Sequence, residues 1–325
     1  MRRLQSGIWL GLVLILGARL TPAAAQAAVL YLPVVYRFES PVKLGGCPVF
    51  PADNAWNRDV SGDPVDPNSD NYINYILNLS ATDTDKLHAD FGGNGQYGIP
   101  YRVVPAAEPR LPINFTAYGD ESDPGPYPIP LNTPIEGGAA ASGDRHVLVV
   151  RAGECKLYEL YRAFPQSAGW DADSGAVFDL TSNALRPLYW TSADAAGLPI
   201  LPGLARVDEV QAGAIRHALR VTFSRTQRAF VLPATHYASS TTDPHAPPMG
   251  LRLRLKASFS LAGFAGQTRV LLLALQRYGL IVADNGSNWF ITGAADVRWD
   301  DNDLDQLKLV PGSAFEVVQS GAIYR

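Results

Sequence analysis

The pattern of apolar and polar positions changes texture near residue 146. Upstream, apolar residues fall in short, scattered groups. Downstream they alternate, or run in brief β-branched and aromatic stretches: HVLVV (146–150), CKLYELYRAF (155–164), GAVFDL (175–180), HALRVTF (217–223), AFVLPATHYA (229–238), LRLRLKASFSL (251–261), GLIVAD (279–284) and SNWFITG (287–293). Such runs mark strands, and Ala152-Gly153, Ser174-Gly175 and Asn285-Gly286 supply turns between many of them. Short strands without regularly interposed helices predict a mainly β chain, a β-sandwich or jelly-roll-like single domain with a few short helices and long Pro/Gly-rich loops.

Three stretches show helical features. Residues 70–79 (DNYINYILNL) follow the capping candidates Asn68 and Ser69, and residues 267–277 (QTRVLLLALQR) concentrate their apolar side chains on one face. Residues 302–309 begin beside Asp300, Asp301 and Asp303, acids that suit a helix start better than a calcium loop, because the glycine and terminal glutamate of such a loop are missing. Between these lie an irregular segment (41–67), a glycine-rich loop (88–101) and a proline-dense extended connection (122–134). The glycine loop lacks the strand-then-helix setting of a phosphate cradle. His88 and Asp90 within it are two ligand types without a supporting cluster, which reads as a surface loop rather than a metal site.

The N-terminus adds a compartment. Arg2 and Arg3 precede an apolar core (8–17) too short to span a bilayer, and Ala25-Gln26-Ala27 has the form of a cleavage site. The expectation is a signal peptide over 1–27, an N-terminal extension (28–90) wrapping the main domain, and a β-rich main domain over 91–325. The mature protein would be secreted, with no membrane span. Its first run, AVLYLPVVYRF (28–38), reads as a strand or as a linker to the cell surface. In an oxidising compartment Cys47 and Cys155, the two cysteines present, are expected to pair.

Bulk composition narrows the function. A chain of 325 residues that is 47% hydrophobic can bury a sizeable core, and a net charge of −4 gives no footprint for nucleic acid. The 25 prolines and 29 glycines imply many ordered loops. No cofactor and no metal site is expected, and the chain is read as a monomer.

Candidate chemistry gathers between residues 207 and 257. Arg252, Arg254 and Lys256 alternate with leucines, so on a strand the cations share one face. That face is either a solvated surface paired with acids of neighbouring strands or a basic floor for carboxylate or sulfate groups. His217 shares a face with Leu219, Val221 and Phe223, as a structural histidine would, whereas His236 opens the loop that carries His245. Glu159 lies mid-strand between Leu157 and Tyr161, and an acid among aromatics on a sheet face could be a glycosidase acid. Asp208 or Glu209 would be its partner, with Asp144 and Asp194 in reserve. Trp170 and Trp190 could stack on sugar rings, as could Trp289 and Trp299, although core packing is the commoner role of tryptophan. No G-x-S-x-G elbow is present: Ser142 and Ser287 lack its flanking glycines.

The runs HALRVTF, VLPATHYAS, PPMGLRLRLKA, GLIVADNGSNWFITG and FEVV resemble a block found in secreted microbial proteins of unassigned function, over residues 144–318. The resemblance implies one extracellular domain and carries no chemistry. Three readings follow. The first is a glycoside hydrolase acting on a polysaccharide or oligosaccharide through Glu159 with Glu209 or Asp208. The second is a polysaccharide lyase in which His217 or His236 abstracts a proton while Arg252, Arg254 and Lys256 neutralise a uronate. The third is a binding or surface-structural protein without catalysis.

Overall fold

A computed structural model describes residues 43–79 and 85–325. The signal peptide expected over 1–27 and the strand or linker expected over 28–38 lie outside the described residues. In chain order the elements are α1 (Ser69–Leu77), β1 (His88–Asp90), β2 (Tyr101–Val104), β3 (Ile113–Phe115), β4 (Val147–Arg151), β5 (Lys156–Tyr161), β6 (Phe164–Pro165), β7 (Trp170–Ala172) and β8 (Ser174–Asp179). There follow α2 (Val207–Gln211), β9 (Leu219–Phe223), β10 (Phe230–Val231), β11 (Arg252–Leu255), α3 (Gly266–Arg277), β12 (Leu280–Asn285), β13 (Phe290–Thr292), α4 (Asp301–Leu304), β14 (Phe315–Val317) and β15 (Ile323–Tyr324). Strands outweigh helices, 26% against 17%, so the chain is β-rich with short helices.

Two sheets dominate. One has six strands in the order β1-β13-β9-β12-β11-β14, and the other has four in the order β2-β4-β5-β8. Both mix parallel with antiparallel neighbours: β1 runs parallel to β13, β9 to β12 and β2 to β4. The four-stranded sheet is apolar on both faces, which explains the unbroken burial of β4. Leu148, Val150, Leu157 and Phe178 join the main core, whereas Val147, Val149, Tyr158 and Leu160 face a smaller core with Tyr127, Ile129 and Trp170. The three-stranded sheet β3-β7-β6 borders that smaller core.

The alternating Leu/Arg run of β11 divides as strand geometry requires. Leu251, Leu253 and Leu255 are in the main core. Arg254 pairs with its cross-strand neighbour Glu316 on β14, at 2.7 Å. The rest of the ladder is spent on backbone. Arg252 donates to the carbonyls of Tyr278, Ala55 and Arg58, Arg254 to those of Val60 and Asp63, and Lys256 to that of Ser313. Unpaired backbone carbonyls are costly to bury, and here guanidinium groups satisfy those of the irregular segment 55–63. The ladder therefore fastens the N-terminal segment to the sheet. The same segment covers the β14 edge: Val65 bridges Val318, Asp66 N–H donates to Val317 O, and Ser69 Oγ accepts from Val317 N–H. An edge covered in this way cannot pair with another chain.

Cys47 and Cys155 form a disulfide with Cα atoms 5.2 Å apart, tying the segment to the turn that leads into β5. The aspartates near residue 300 act as caps. Asp300 accepts from the Asn302 and Asp303 amides of α4, and Asp303 accepts from the Gln267 and Thr268 amides at the start of α3. The apolar run 229–238 forms only the two-residue β10, because Pro233 has no N–H to continue a ladder. No helix among the described residues is long and apolar enough to cross a membrane.

Candidate functional site

The first-chosen carboxylate does not face a cleft. Glu159 is fully buried, with Ile200 N–H reaching both its oxygens at 3.0 Å and Leu201 N–H reaching Oε1 at 3.0 Å. Those amides open the 3₁₀ turn Leu201–Gly203, so Glu159 caps that turn from inside the core. Burial pushes its carboxyl up to about 7, against the downward pull of the two amides.

Glu209 is linked to the same stretch of chain through Arg206. Its Oε1 accepts from Arg206 Nη2 at 2.6 Å, its Oε2 meets His217 Nε2 at 2.9 Å, and Arg206 Nη1 donates to Leu201 O at 3.4 Å. His217 Nδ1 in turn donates to Ala218 O. Burial raises the Glu209 carboxyl, but the charges of Arg206 and His217 outweigh it and hold the group below its usual range. Glu209 and His217 therefore belong to a sealed cluster. Asp208, beside them on α2, is half-buried and outside it. His236 is half-buried with Nδ1 on Ala195 O, and it stacks on Tyr237. Trp170 lies in the smaller core with its indole N–H on Ile129 O, and Trp190 lies beside the Arg186 guanidinium. These residues do not converge on one hollow, and neither does the β11 ladder.

A different set does converge. A polar cavity of about 190 Å³ is lined by Asp90, Glu136, Asp144, His146, Arg220 and Asp284, with Thr222, Ser287, Phe290 and Thr292 among its other walls. Its floor is one face of the six-stranded sheet. Register places Asp90 beside Thr292 and Phe290 beside Thr222, and Arg220 and Thr222 share a face because they are two apart on β9. The opposite face carries Leu219, Val221, Phe223 and Ile291 into the core.

Asp284 joins this floor because of a bulge. Up to Val282, β12 pairs in step with β9, and then the register shifts so that Asp284 lies opposite Thr222. Without that extra residue Asp284 would fall opposite Phe223, on the apolar face. A β-bulge re-aims one side chain in this way without ending the strand.

The roof comes from the chain entering β4. His146 is buried, its Nδ1 is 2.6 Å from Glu136 Oε2, and its Nε2 donates to Ala193 O at 3.0 Å. Arg220 is gripped by the fully buried side chain of Asp194, which is not in the lining, with Nη2 to Oδ1 at 2.7 Å and Nε to Oδ2 at 3.3 Å, and its Nη1 donates to Thr292 Oγ1. Asp194 holds that guanidinium firmly in its charged form.

The carboxyls of the cavity are driven apart. Burial, with the nearby Asp194, pushes Asp284 up to about 7 despite Arg220, whose Nη2 is 4.0 Å away. Asp284 Oδ1 accepts from Asn285 N–H, and among the described residues Oδ2 accepts no hydrogen bond. Asp90 is also raised, by burial and by Glu136. Burial acts upward on Glu136 too, but the hydrogen bond and charge of His146 prevail and hold it below its usual range. Burial opposes the charge on His146, and Glu136 nonetheless raises it. Among the described residues no group of three or more His, Cys, Asp or Glu side chains is arranged to hold a metal ion.

A second hollow of about 260 Å³ is mostly apolar, with Phe50, Trp56, Phe178, Leu185 and Leu232 among its walls. Arg186 at its rim is taken up by the Asp123 carboxylate and by the Glu121 and Thr191 carbonyls.

Sequence reasoning held Asp144 and Asp194 in reserve and weighed Asp90 as a metal ligand. It passed over Arg220, Glu136, His146 and Asp284. The strand pattern does not mark Arg220, which alternates onto the face opposite Leu219, Val221 and Phe223, where a polar residue is ordinary. Comparison with models of known families, with curated proteins and with solved structures yields no match for this chain.

Proposed function

We propose that this chain is a secreted glycoside hydrolase whose acid–base pair is Asp284 and Glu136, rather than the Glu159 pair suggested by strand patterning. The observation that carries the reading is the divergence of the two carboxyls within one polar cavity. A glycosidase needs one carboxyl protonated near neutrality and another ionised, and opposite environments are how proteins arrange this. Asp284, pushed up to about 7, retains a proton for the leaving oxygen. Glu136, held ionised by His146, takes a proton from water. In the overall step the glycosidic C–O bond breaks and the water oxygen bonds to the anomeric carbon. The Asp284 proton goes to the leaving oxygen, and the water proton goes to Glu136.

Side chains of Asn, Ser and Thr around the cavity suit sugar hydroxyls, and Phe290 provides an apolar wall. Secretion is supported by the disulfide and by the N-terminal pattern. A sandwich-like scaffold is supported by the single core that contains side chains of both main sheets. The lyase reading has less support, because the arginine ladder it needs is occupied by carbonyls and Glu316.

The test is a screen of the protein lacking residues 1–27 against neutral, amino and uronic polysaccharides, following reducing ends and the absorbance of unsaturated products together. New reducing ends without that absorbance, lost in Asp284→Asn, are expected. Unsaturated products would point to elimination, and turnover that survives Asp284→Asn would remove Asp284 from the mechanism.

A further inference from the structure

The cavity has more negative than positive charge available to a ligand. Four carboxyls line it, Asp90, Glu136, Asp144 and Asp284, against the cations Arg220 and His146. Both cations are already engaged. Arg220 is held by Asp194, a fifth acid outside the lining, and His146 is held by Glu136. Among the described residues that leaves Asp90 and Asp144 with no ion pair, while Asp284, the proton donor, lies 4.0 Å from Arg220 and its Oδ2 accepts no hydrogen bond. A half-buried carboxyl oxygen with no donor, open to a cavity, is a position that a ligand donor can fill.

On this basis, and resting on the hydrolase reading above, we infer that the sugar bound in the Asp90–Asp144–Asp284 cavity carries a protonated amine, as a glucosamine-type unit does. An ammonium supplies three donors and one positive charge in a compact group. It would meet the carboxylates of Asp90 and Asp144, with the free Asp284 oxygen as a further acceptor, whereas a uronate would add a further negative charge to a site that lacks free cations. The acids do not converge as a metal site, so the missing positive charge is assigned to the organic ligand. Preference between otherwise similar sugars then comes from attraction to one charge type and repulsion of the other.

The experiment is calorimetric titration at pH 6 and low salt with four oligosaccharide probes of equal length. These are a glucosamine oligomer, its N-acetylated counterpart, a glucose oligomer and a glucuronate oligomer, each applied to the wild-type protein and to Asp284→Asn. The glucosamine oligomer is expected to bind wild type at least tenfold more tightly than the neutral probes, with the glucuronate oligomer weakest. That advantage should shrink at high salt, because screening weakens attraction between exposed charges. Asp90→Asn and Asp144→Asn are each expected to weaken glucosamine binding several-fold and to narrow its advantage over the neutral probes. Their melting temperatures serve as the control for folding.

Equal binding of the four probes would overturn the inference, as would an amine preference that persists in the double Asp90→Asn, Asp144→Asn variant. The two readings fail separately. An amine oligomer that binds selectively but is never cleaved contradicts the hydrolase and spares the selectivity. Cleavage of neutral glycans without amine preference does the reverse.

Discussion

Glu159 and Asp284 are both strand carboxyls pushed up to about 7 by burial, yet they have opposite prospects. Glu159 is wholly enclosed, and its oxygens accept backbone amides from the turn they cap. Asp284 keeps 27% of its side chain exposed and leaves one oxygen without a donor at the wall of a polar cavity. A raised carboxyl is therefore no mark of chemistry unless a substrate can reach it. What separates the two is access and unused bonding capacity, and both depend on the neighbours that surround each strand.

The comparison can be broken most directly through activity. Asp284→Asn removes the proton donor and is expected to lower kcat by about 100- to 10,000-fold, the usual range for a general acid. Glu159→Gln should leave kcat of the folded protein within a few-fold of wild type. A large kcat loss in Glu159→Gln at unchanged melting temperature would reverse the assignment. The pH profile is a second readout: because the acid must be protonated, turnover should fall as pH rises through about 7.

The buried charge clusters offer the next contrast. Arg220→Met strands the fully buried Asp194, and Arg206→Met strands Glu209 between His217 and the core. Removing one partner of a buried pair costs about 3–5 kcal/mol, so both variants should unfold at markedly lower denaturant concentration. Only Arg220→Met should also shift the alkaline limb of the pH–activity profile, because Arg220 is near Asp284. Identical profiles would show that the sealed and open clusters are functionally equivalent.

Reduction of the Cys47–Cys155 disulfide, which closes a separation of 108 residues beside the Glu159 strand, should lower stability by about 4 kcal/mol. Calorimetric melting with and without reductant measures this, and equal melting would contradict it. Substrate affinity of the reduced, folded protein should be unchanged, because the cavity lies among other elements.

A smaller loss is expected from Glu159→Gln itself. The neutral side chain offers one oxygen where two accept amides now, and a buried donor left unsatisfied costs about 1–3 kcal/mol.

The gentlest test is the pH dependence of stability. Glu159 and Asp284 both have folded-state values above those of the unfolded chain, so the native state binds their protons more tightly. Their contribution is complete below about pH 4 and is lost as pH rises toward about 7. Asp284→Asn should flatten this decline between those limits, as read from denaturant midpoints. A decline as steep as that of wild type would mean that Asp284 titrates normally.

Local patterning carried a good part of the fold. Alternating or continuous apolar runs mark β4, β5, β8, β9, β11 and β12 to within a few residues, and one-sided apolar spacing marks α1 and α3. Those signals are legible because side-chain periodicity follows from backbone geometry alone. The two cysteines and the capping aspartates were legible for the same reason, since they need only neighbours in sequence or a scarcity of alternatives. The arginine ladder is legible as one face of a strand, and Arg254 meets an acid of a neighbouring strand, Glu316, as one of the two readings expects. The carbonyls of segment 55–63 that it also holds, nearly two hundred residues earlier in the chain, are not legible.

The cavity was out of reach for a stronger reason. A single extra residue after Val282 moves Asp284 from the apolar face to the polar one, and strict alternation assigns it to the wrong side. Its companions arrive from β1, from the turn before β4 and from β9, spanning residues 90 to 292, so no spacing motif records their meeting. Which acid is sealed and which is open depends on what packs above each strand. That is a property of long-range contacts, and the period of a strand does not encode it.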